Sequence, residues 1–507
     1  MKHLNRDWYA LLSQRAASRR GGRAFWFVLA LFLFTLNLYA PAAPTLAERL
    51  LASGIFVLAF GVIWRWTYRG NGEADLGFLP TMLIVFSLMY ALVIFTQRAL
   101  LMTCALGAFL LEEAAVDKAL LLSLVGLALI VCGYYWPGRD AVAKFLPKFE
   151  MQWRDKNVVE FTALVFMGIG LLMFVLLFQT KLSNTAQAYV SLPSEFFFLS
   201  MIVLFILQLE GSLHFIVKIL LWGALIPARI FLGVSQGQLG LGMMVVMALV
   251  ITYATIRRRI PWMVFIVGFG AFMVLQPVKS ALRQSIWVNN EMSSAKDVAE
   301  SDKAAAFLNS TQQGWTFIQT YDLRDVISLA TLRLADILIF ATVIQRTPMD
   351  VPYWGGASYY RLLFAPIPRI LYPEKPDYME GNILAHQYEM IATDNHTTSV
   401  NLTQLTEFYG NFGPIGVIVG CLLLGIIYRT INDCFIHERC GMGAIVAGIY
   451  LFSHLIDIEN AVAEIFGGLW LEAIMVVIFY WGIRFSEAGF QAIRIKRKQD
   501  RLVDVAV

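Results

Sequence analysis

Runs of about 20 largely apolar residues recur through 24–277 and again through 411–485 of this 507-residue chain, and that length matches a helix crossing a ~30 Å hydrocarbon layer. In lipid every backbone polar group must find its partner inside the protein, so only helices or closed barrels can span. A barrel needs alternating segments of about ten residues, and these are absent. The chain is therefore expected to be an all-α polytopic membrane protein. Hydrophobic residues at 58% and a mean hydropathy of +0.64 agree, being high for a soluble domain.

Spans are expected at 24–40, 46–66, 78–96, 118–137, 158–179, 195–210, 212–232, 239–256, 261–277, 411–429, 441–457 and 466–485, about twelve in all. Charge sets their direction. The loop 138–157 carries Arg139, Lys144, Lys148, Arg154 and Lys156, the turn Arg257, Arg258 and Arg259 is wholly basic, and 429–439 is basic as well. Basic loops stay on the cytoplasmic side. With the N-terminus inside, all three do so only if the short apolar stretch 99–111 is re-entrant or interfacial. Both termini are then cytoplasmic, and the first apolar run acts as a retained signal anchor. The basic termini report topology, and no nucleic acid is expected as a partner. The five cysteines form no CxxC pair and none falls in 278–410, so neither a disulfide framework nor a cysteine metal site is implied.

This reading divides the chain into a membrane bundle (1–277), a large extracytoplasmic loop (278–410) and three last spans with a basic tail (411–507). The loop holds six arginines. Apolar residues at helical spacing over 325–345, with Arg333 and Asp336 interleaved, predict an amphipathic helix lying on the membrane surface or on the bundle. Pro366, Pro368, Pro373 and Pro376 follow closely and favour a rigid extended path from which Arg361, Arg369 and Lys375 project. Fixed guanidinium groups suit a diphosphate, since their paired donors match phosphate oxygens. The same cations would also suit lipid headgroups. His386 and His396 match no standard zinc spacing, and no metal is expected there.

Among the remaining polar groups, Asp457, Glu459 and Glu464 collect at one end of the eleventh span and are expected to orient loop arginines or bind sugars. His214 and Lys218 are expected to face the bundle interior together. Arg229, after Pro227, is a second candidate phosphate contact. Gly240 and Gly242 are expected to allow close helix packing.

Two elements give a resemblance. Ile367-Pro368-Arg369-Ile370-Leu371-Tyr372-Pro373-Glu374-Lys375-Pro376 and Thr406-Glu407-Phe408-Tyr409-Gly410-Asn411-Phe412-Gly413-Pro414-Ile415-Gly416 resemble, in order, two elements of the Wzy-type O-antigen and exopolysaccharide polymerases. The plan of late spans around one large external loop is also similar to the related O-antigen ligases, which are GT-C-like membrane glycosyltransferases. The resemblance implies polymerisation of oligosaccharide repeat units carried on undecaprenyl diphosphate, at the outer face of the bacterial inner membrane. Donor and acceptor would both be lipid-linked, membrane lipids would surround the protein, and a chain-length regulator is an implied partner.

In that chemistry negative charge grows on the departing diphosphate. Cations that tighten there in the transition state lower the barrier, and no metal or other cofactor is needed. The resemblance makes Arg369 and Arg361 the first candidates, with Lys375, Arg333, Arg283 and Arg229 as further substrate contacts. Tyr409 and Asn411 are candidate sugar contacts. A base must meet the acceptor hydroxyl, and Glu407 and His396 are the two candidates. Glu407 could instead anchor Arg369. A ligase would share the donor site and differ in its acceptor groove. A lipid-linked sugar transporter would carry its cations along a path inside the bundle, and an accessory subunit would tolerate loss of Arg369.

Overall fold

The computed structural model describes residues 7–17, 23–39, 45–68, 74–92, 111–179, 190–235, 239–283, 309–316, 319–320, 322–367, 372, 380–391, 393 and 400–506. The main helices are α1 (Trp8–Ala17), α2 (Arg23–Tyr39), α3 (Leu46–Tyr68), α4 (Phe78–Ala91), α5 (Glu113–Tyr134), α6 (Lys156–Gln179), α7 (Phe196–Leu209), α8 (Ile226–Ser235), α9 (Leu239–Arg257), α10 (Trp262–Arg283), α11 (Leu323–Arg333), α12 (Asp336–Arg346), α13 (Gln404–Phe435), α14 (Met442–Leu455) and α15 (Val462–Ala506). A further helical turn, Phe215–Leu220, runs into α8 through one π turn, Leu221–Leu225. No strand occurs among the described residues. The chain is an all-α, multi-pass membrane protein.

Among the described residues eight helices are long and apolar enough to cross a membrane: Leu46–Tyr68, Glu113–Tyr134, Lys156–Leu177, Val190–Leu209, Phe215–Gly233, Gly240–Arg257, Gln404–Phe435 and Val462–Lys496. Four shorter apolar helices, Phe25–Phe34, Phe78–Ala91, Trp262–Val278 and Met442–Leu455, stand where the other four spans are expected. The expected re-entrant stretch 99–111 lies outside the described residues except for Leu111.

Small residues set the closest helix contact. A methyl group on Gly425 of α13 would run into the carbonyl oxygen of Ile130, and one on Gly133 of α5 would meet that of Leu422. Without side chains at these two points, backbone lies against backbone, the approach that glycine permits between membrane helices. α8 and α9 also pack closely, but through Gly233, whose added methyl would lie 3.1 Å from the Leu241 Cβ; Gly240, expected to serve this purpose, faces open space.

The loops segregate. At one end Phe149 N–H donates to the Cys434 carbonyl (3.0 Å), Gly441 N–H to Glu150 (2.6 Å) and Leu76 N–H to Asn432 Oδ1 (3.0 Å). Tyr134 donates to Asp75 (2.7 Å), Arg258 covers the Trp66 ring, and Arg494 pairs with Asp155 (2.7 Å). Thus the loop 138–155, the turns near 75 and 258, the 436–441 turn and the last stretch of α15 share one end. The other end joins Glu112 to Gln345 (3.0 Å), Arg333 to Glu459 (3.5 Å) and Glu407 to Val462 (2.6 Å).

Four expectations change. The amphipathic helix over 325–345 is broken: α11 and α12 meet at 61° around Leu334 and Ala335. Of the two places expected for it, α12 takes the bundle and not the membrane surface, with Ile337, Leu338, Phe340, Ala341 and Val343 all but completely buried; its apolar face is wide enough to join the core. The tenth span starts earlier than 411, since 404–410 is already helical. The basic tail after 485 is not separate, because α15 continues as one 45-residue helix, about 68 Å at 1.5 Å per residue. His214 does not face the interior: it precedes the Phe215–Leu220 turn, is largely exposed, and its Nδ1 lies 2.7 Å from Glu160 Oε1.

Candidate functional site

The end of the bundle that carries the loop is organised by a kink in α13. Pro414 has no N–H to give to the carbonyl four residues earlier, that of Gly410. Phe412 (φ −138°) and Gly413 (φ +63°, ψ −151°) leave helical geometry at this point. The Gly413 conformation is one that only glycine adopts without strain, and an added methyl would press on the Tyr353 hydroxyl. The freed acceptors are not wasted. Trp354 N–H donates to the Gly410 carbonyl (2.9 Å) and Gly355 N–H to that of Asn411 (3.2 Å). The kink therefore makes a docking edge for the loop segment 353–360.

Asn411 completes that edge. It is buried, and its Oδ1 accepts from Gly356 N–H (2.9 Å) while its Nδ2 donates to Ser358 Oγ (2.8 Å) and the Glu407 carbonyl (2.8 Å). Both donors of the amide and one acceptor direction of its oxygen are thus used within the protein. Tyr409 is buried too, with its ring edge-on to Phe340 and its hydroxyl 3.0 Å from Lys118 Nζ. Both residues, expected to touch sugar, hold the loop and α13 together.

Glu407 is wholly enclosed, at 0% exposure. Its Oε2 accepts from the backbone N–H of Val462 (2.6 Å) and of Ala463 (3.4 Å), the first residues of α15. Those amides have no partner inside their own helix, and the helix dipole favours an anion there. A carboxylate placed so ties α13 to the start of α15 and is shielded from a bulky acceptor. Its position is that of a helix cap rather than of a base waiting for a hydroxyl.

Beside this cap lies a cluster of charge. Arg333, at the end of α11, is half exposed and pairs with Glu459 through Nη2 (3.5 Å). Asn401 Nδ2 donates to the same Glu459 oxygen (3.0 Å). Asp336 opens α12 and is buried, and its Oδ2 has no hydrogen-bond partner among the described residues. Asp457, beyond the end of α14, accepts from Asn460 Nδ2 (2.9 Å). Burial, reinforced by the negative charges of Glu459 and Glu464, pushes the Asp457 carboxyl up to about 6. Acids expected to orient a loop arginine do so through Glu459, and the cluster retains a carboxylate poised to take up a proton near neutrality.

The other expected site residues divide into two groups. Arg369, Lys375 and His396 lie outside the described residues. The backbones of Arg361, within the 3₁₀ turn Tyr359–Leu363, and of Arg283, the last residue of α10, are described, but their side chains are not. Arg229 departs from expectation. It is 2% exposed, with its guanidinium carbon 3.2 Å from the Phe174 ring centroid and the rings of Phe198 and Phe197 at 5.2 and 6.0 Å. Such cation–π packing steadies α8 against α6 and α7 and keeps the guanidinium from the surface. Arg346, another loop arginine, is engaged by Asp350 (3.1 Å) and Glu389 (2.9 Å).

Sequence reasoning missed Lys118, Asp336 and the Trp354-Gly355-Gly356 segment. Lys118 falls inside an expected span, where a cation near the end is ordinarily read as snorkelling. The glycine pair after Trp354 was a readable signal of close backbone approach.

Fold and site define a polytopic helical membrane protein with a loop platform docked on a kinked late span. The family described as a domain of unknown function, DUF8712, matches residues 142–484, and the chain belongs to it. That match takes in α6 to α14, the whole loop, the kink and most of α15. No curated protein and no solved structure matches the chain.

Proposed function

We propose that this protein is a membrane glycosyltransferase of the Wzy type that joins lipid-linked oligosaccharide repeat units into a surface polysaccharide. The observation that carries the reading is the ordered pair of elements, the Arg369–Lys375 proline-rich run and the Glu407–Gly416 run. The geometry of the second supports it. Its asparagine, glycine and proline act in docking the 353–360 segment on the bundle, its tyrosine packs α13 against α12 and Lys118, and its glutamate ties α13 to the start of α15, as an element that builds a reaction platform should.

In this proposal twelve helices cross the inner membrane of a bacterium, both termini are cytoplasmic and the loop faces outward. The grouping of the basic loops at the end opposite Arg333 supports that orientation. The growing glycan sits on undecaprenyl diphosphate. A hydroxyl at the non-reducing end of one repeat unit attacks its anomeric carbon, the new glycosidic bond forms, and the bond to the diphosphate breaks. The diphosphate leaves with the electron pair, and the hydroxyl proton passes to a base. Arg369 and Arg361 stabilise the leaving charge, helped by Lys375, Arg333 and Arg283. Glu407 positions the platform. His396 and the Asp457 cluster remain as the groups that can receive the proton.

The direct test uses purified protein in detergent with a lipid-linked repeat unit extracted from the source strain. A ladder of longer lipid-linked glycans, formed without added metal and lost in Arg369→Ala, is expected. Unchanged substrate with folded wild-type protein and its own repeat unit would overturn the proposal.

A further inference from the structure

A second cluster lies between the turn before α7, α14 and α15. Glu195, His454 and Glu472 each offer one ligand atom, and these atoms lie within 4.8 Å of one another. His454 Nε2 is 3.5 Å from Glu195 Oε2 and 3.7 Å from Glu472 Oε1. The Tyr450 hydroxyl touches both carboxylates: it lies 3.1 Å from Glu195 Oε2 and makes a short contact with Glu472 Oε2. The other ring nitrogen, His454 Nδ1, faces the Tyr450 carbonyl at 3.1 Å.

Counting protons exposes a deficit. Nδ1 must carry its hydrogen to meet a carbonyl, so in the neutral ring Nε2 presents a lone pair to the carboxylates. Tyr450 has one proton for two carboxylates. Several electron-rich atoms therefore converge with one hydrogen among them. An added proton on Nε2 could reach Glu195 Oε2, at 3.5 Å the long limit of a hydrogen bond, and would leave Glu472 Oε1 out of reach at 3.7 Å. A small divalent ion relieves it well. Metal bonds of about 2.1 Å in tetrahedral array put neighbouring ligand atoms about 3.4 Å apart; the histidine nitrogen lies 3.5 and 3.7 Å from the two carboxylate oxygens, and all three atoms fall within 4.8 Å of one another. A backbone carbonyl holding the far ring nitrogen is also the usual support for a metal-bound histidine.

We propose that Glu195, His454 and Glu472 form a site for a divalent transition-metal ion of the Zn²⁺ class. One nitrogen and two oxygen ligands, with no thiolate, suit Zn²⁺ better than Ca²⁺, which takes six or more oxygens. The three side chains are about one-fifth exposed, so an ion has a way in. Bound there, it ties α7, α14 and α15 together just below the turn that carries Asp457 and Glu459. Arg229 stacks on Phe174 and feels the negative charge of Glu195, so that carboxylate already has one cationic neighbour.

The test titrates Zn²⁺ by calorimetry into full-length protein purified in detergent without a histidine tag and stripped by a chelator. One equivalent per chain is expected, with binding at least tenfold weaker in His454→Gln and in Glu472→Gln, and unchanged in His437→Gln at the other end of the bundle. Zn²⁺ should raise the thermal midpoint of wild type and leave that of the two ligand variants in place. Should those variants misfold, Co²⁺ in wild type decides, since a tetrahedral site gives strong visible absorption. Wild type that takes up no stoichiometric Zn²⁺, or a Co²⁺ complex without those bands, would overturn the site whether or not the protein polymerises glycan.

Discussion

Two carboxylates at the loop end show how place changes the meaning of a residue. Glu407 is locked against the first amides of α15, and removing its side chain leaves buried donors without a partner. Glu407→Gln keeps one acceptor and should cost about 1–2 kcal/mol, and Glu407→Ala about 3 kcal/mol, read by thermal unfolding in detergent. A Glu407→Ala protein as stable as wild type yet inactive would return the residue to the chemistry. Asp457 makes no such cap, and burial with the charges of Glu459 and Glu464 holds its carboxyl up near 6. The native state then binds more protons than the unfolded chain between about pH 4 and 6, so this group's share of stability falls as pH rises through that window and is level above it. Asp457→Asn should flatten the slope and be neutral or stabilising at pH 7. Unfolding midpoints measured from pH 4 to 8 check this; a slope unchanged by the substitution would remove Asp457 as its source.

At the level of helices, the sequence was readable where lipid dictates the pattern and unreadable where protein does. Eight of the expected spans fall on helices long and apolar enough to cross, and the other four on shorter apolar helices, because apolar length has one meaning in a bilayer. For α12 the spacing left two places open, the membrane surface and the bundle, and the helix takes the bundle; amphipathic spacing tells which side is apolar and not what covers it. The α13 kink was visible as Gly413-Pro414, but its partner segment 353–360 was not, since backbone donors have no side-chain signature. The same holds for the packing of α5 on α13. Gly425→Ala puts a methyl group into the Ile130 carbonyl and should lower stability by about 1–3 kcal/mol, while Gly468→Ala, which faces open space, should be tolerated. Equal melting temperatures for the two variants would mean that the helices stand further apart than described.

Across the whole molecule the two ends differ in kind. One gathers basic loops around α13, α14 and the end of α15, held by ordinary backbone and ion-pair contacts. The other gathers buried acids, Arg333, Lys118 and a loop pinned on a kink, and it is there that a charged lipid-linked substrate would be met. The arginine with most at stake in the proposal is Arg369, which follows residue 367 by two positions in the sequence. The most direct measurement is a surface-glycan gel from a deletion strain complemented with wild type, Arg369→Ala or the cap variant Glu407→Gln at matched membrane levels. The account predicts single repeat units in the deletion strain, a full ladder restored by wild type and in reduced amount by Glu407→Gln, and no ladder with Arg369→Ala. A normal ladder in the deletion strain, or full restoration by Arg369→Ala, would contradict it.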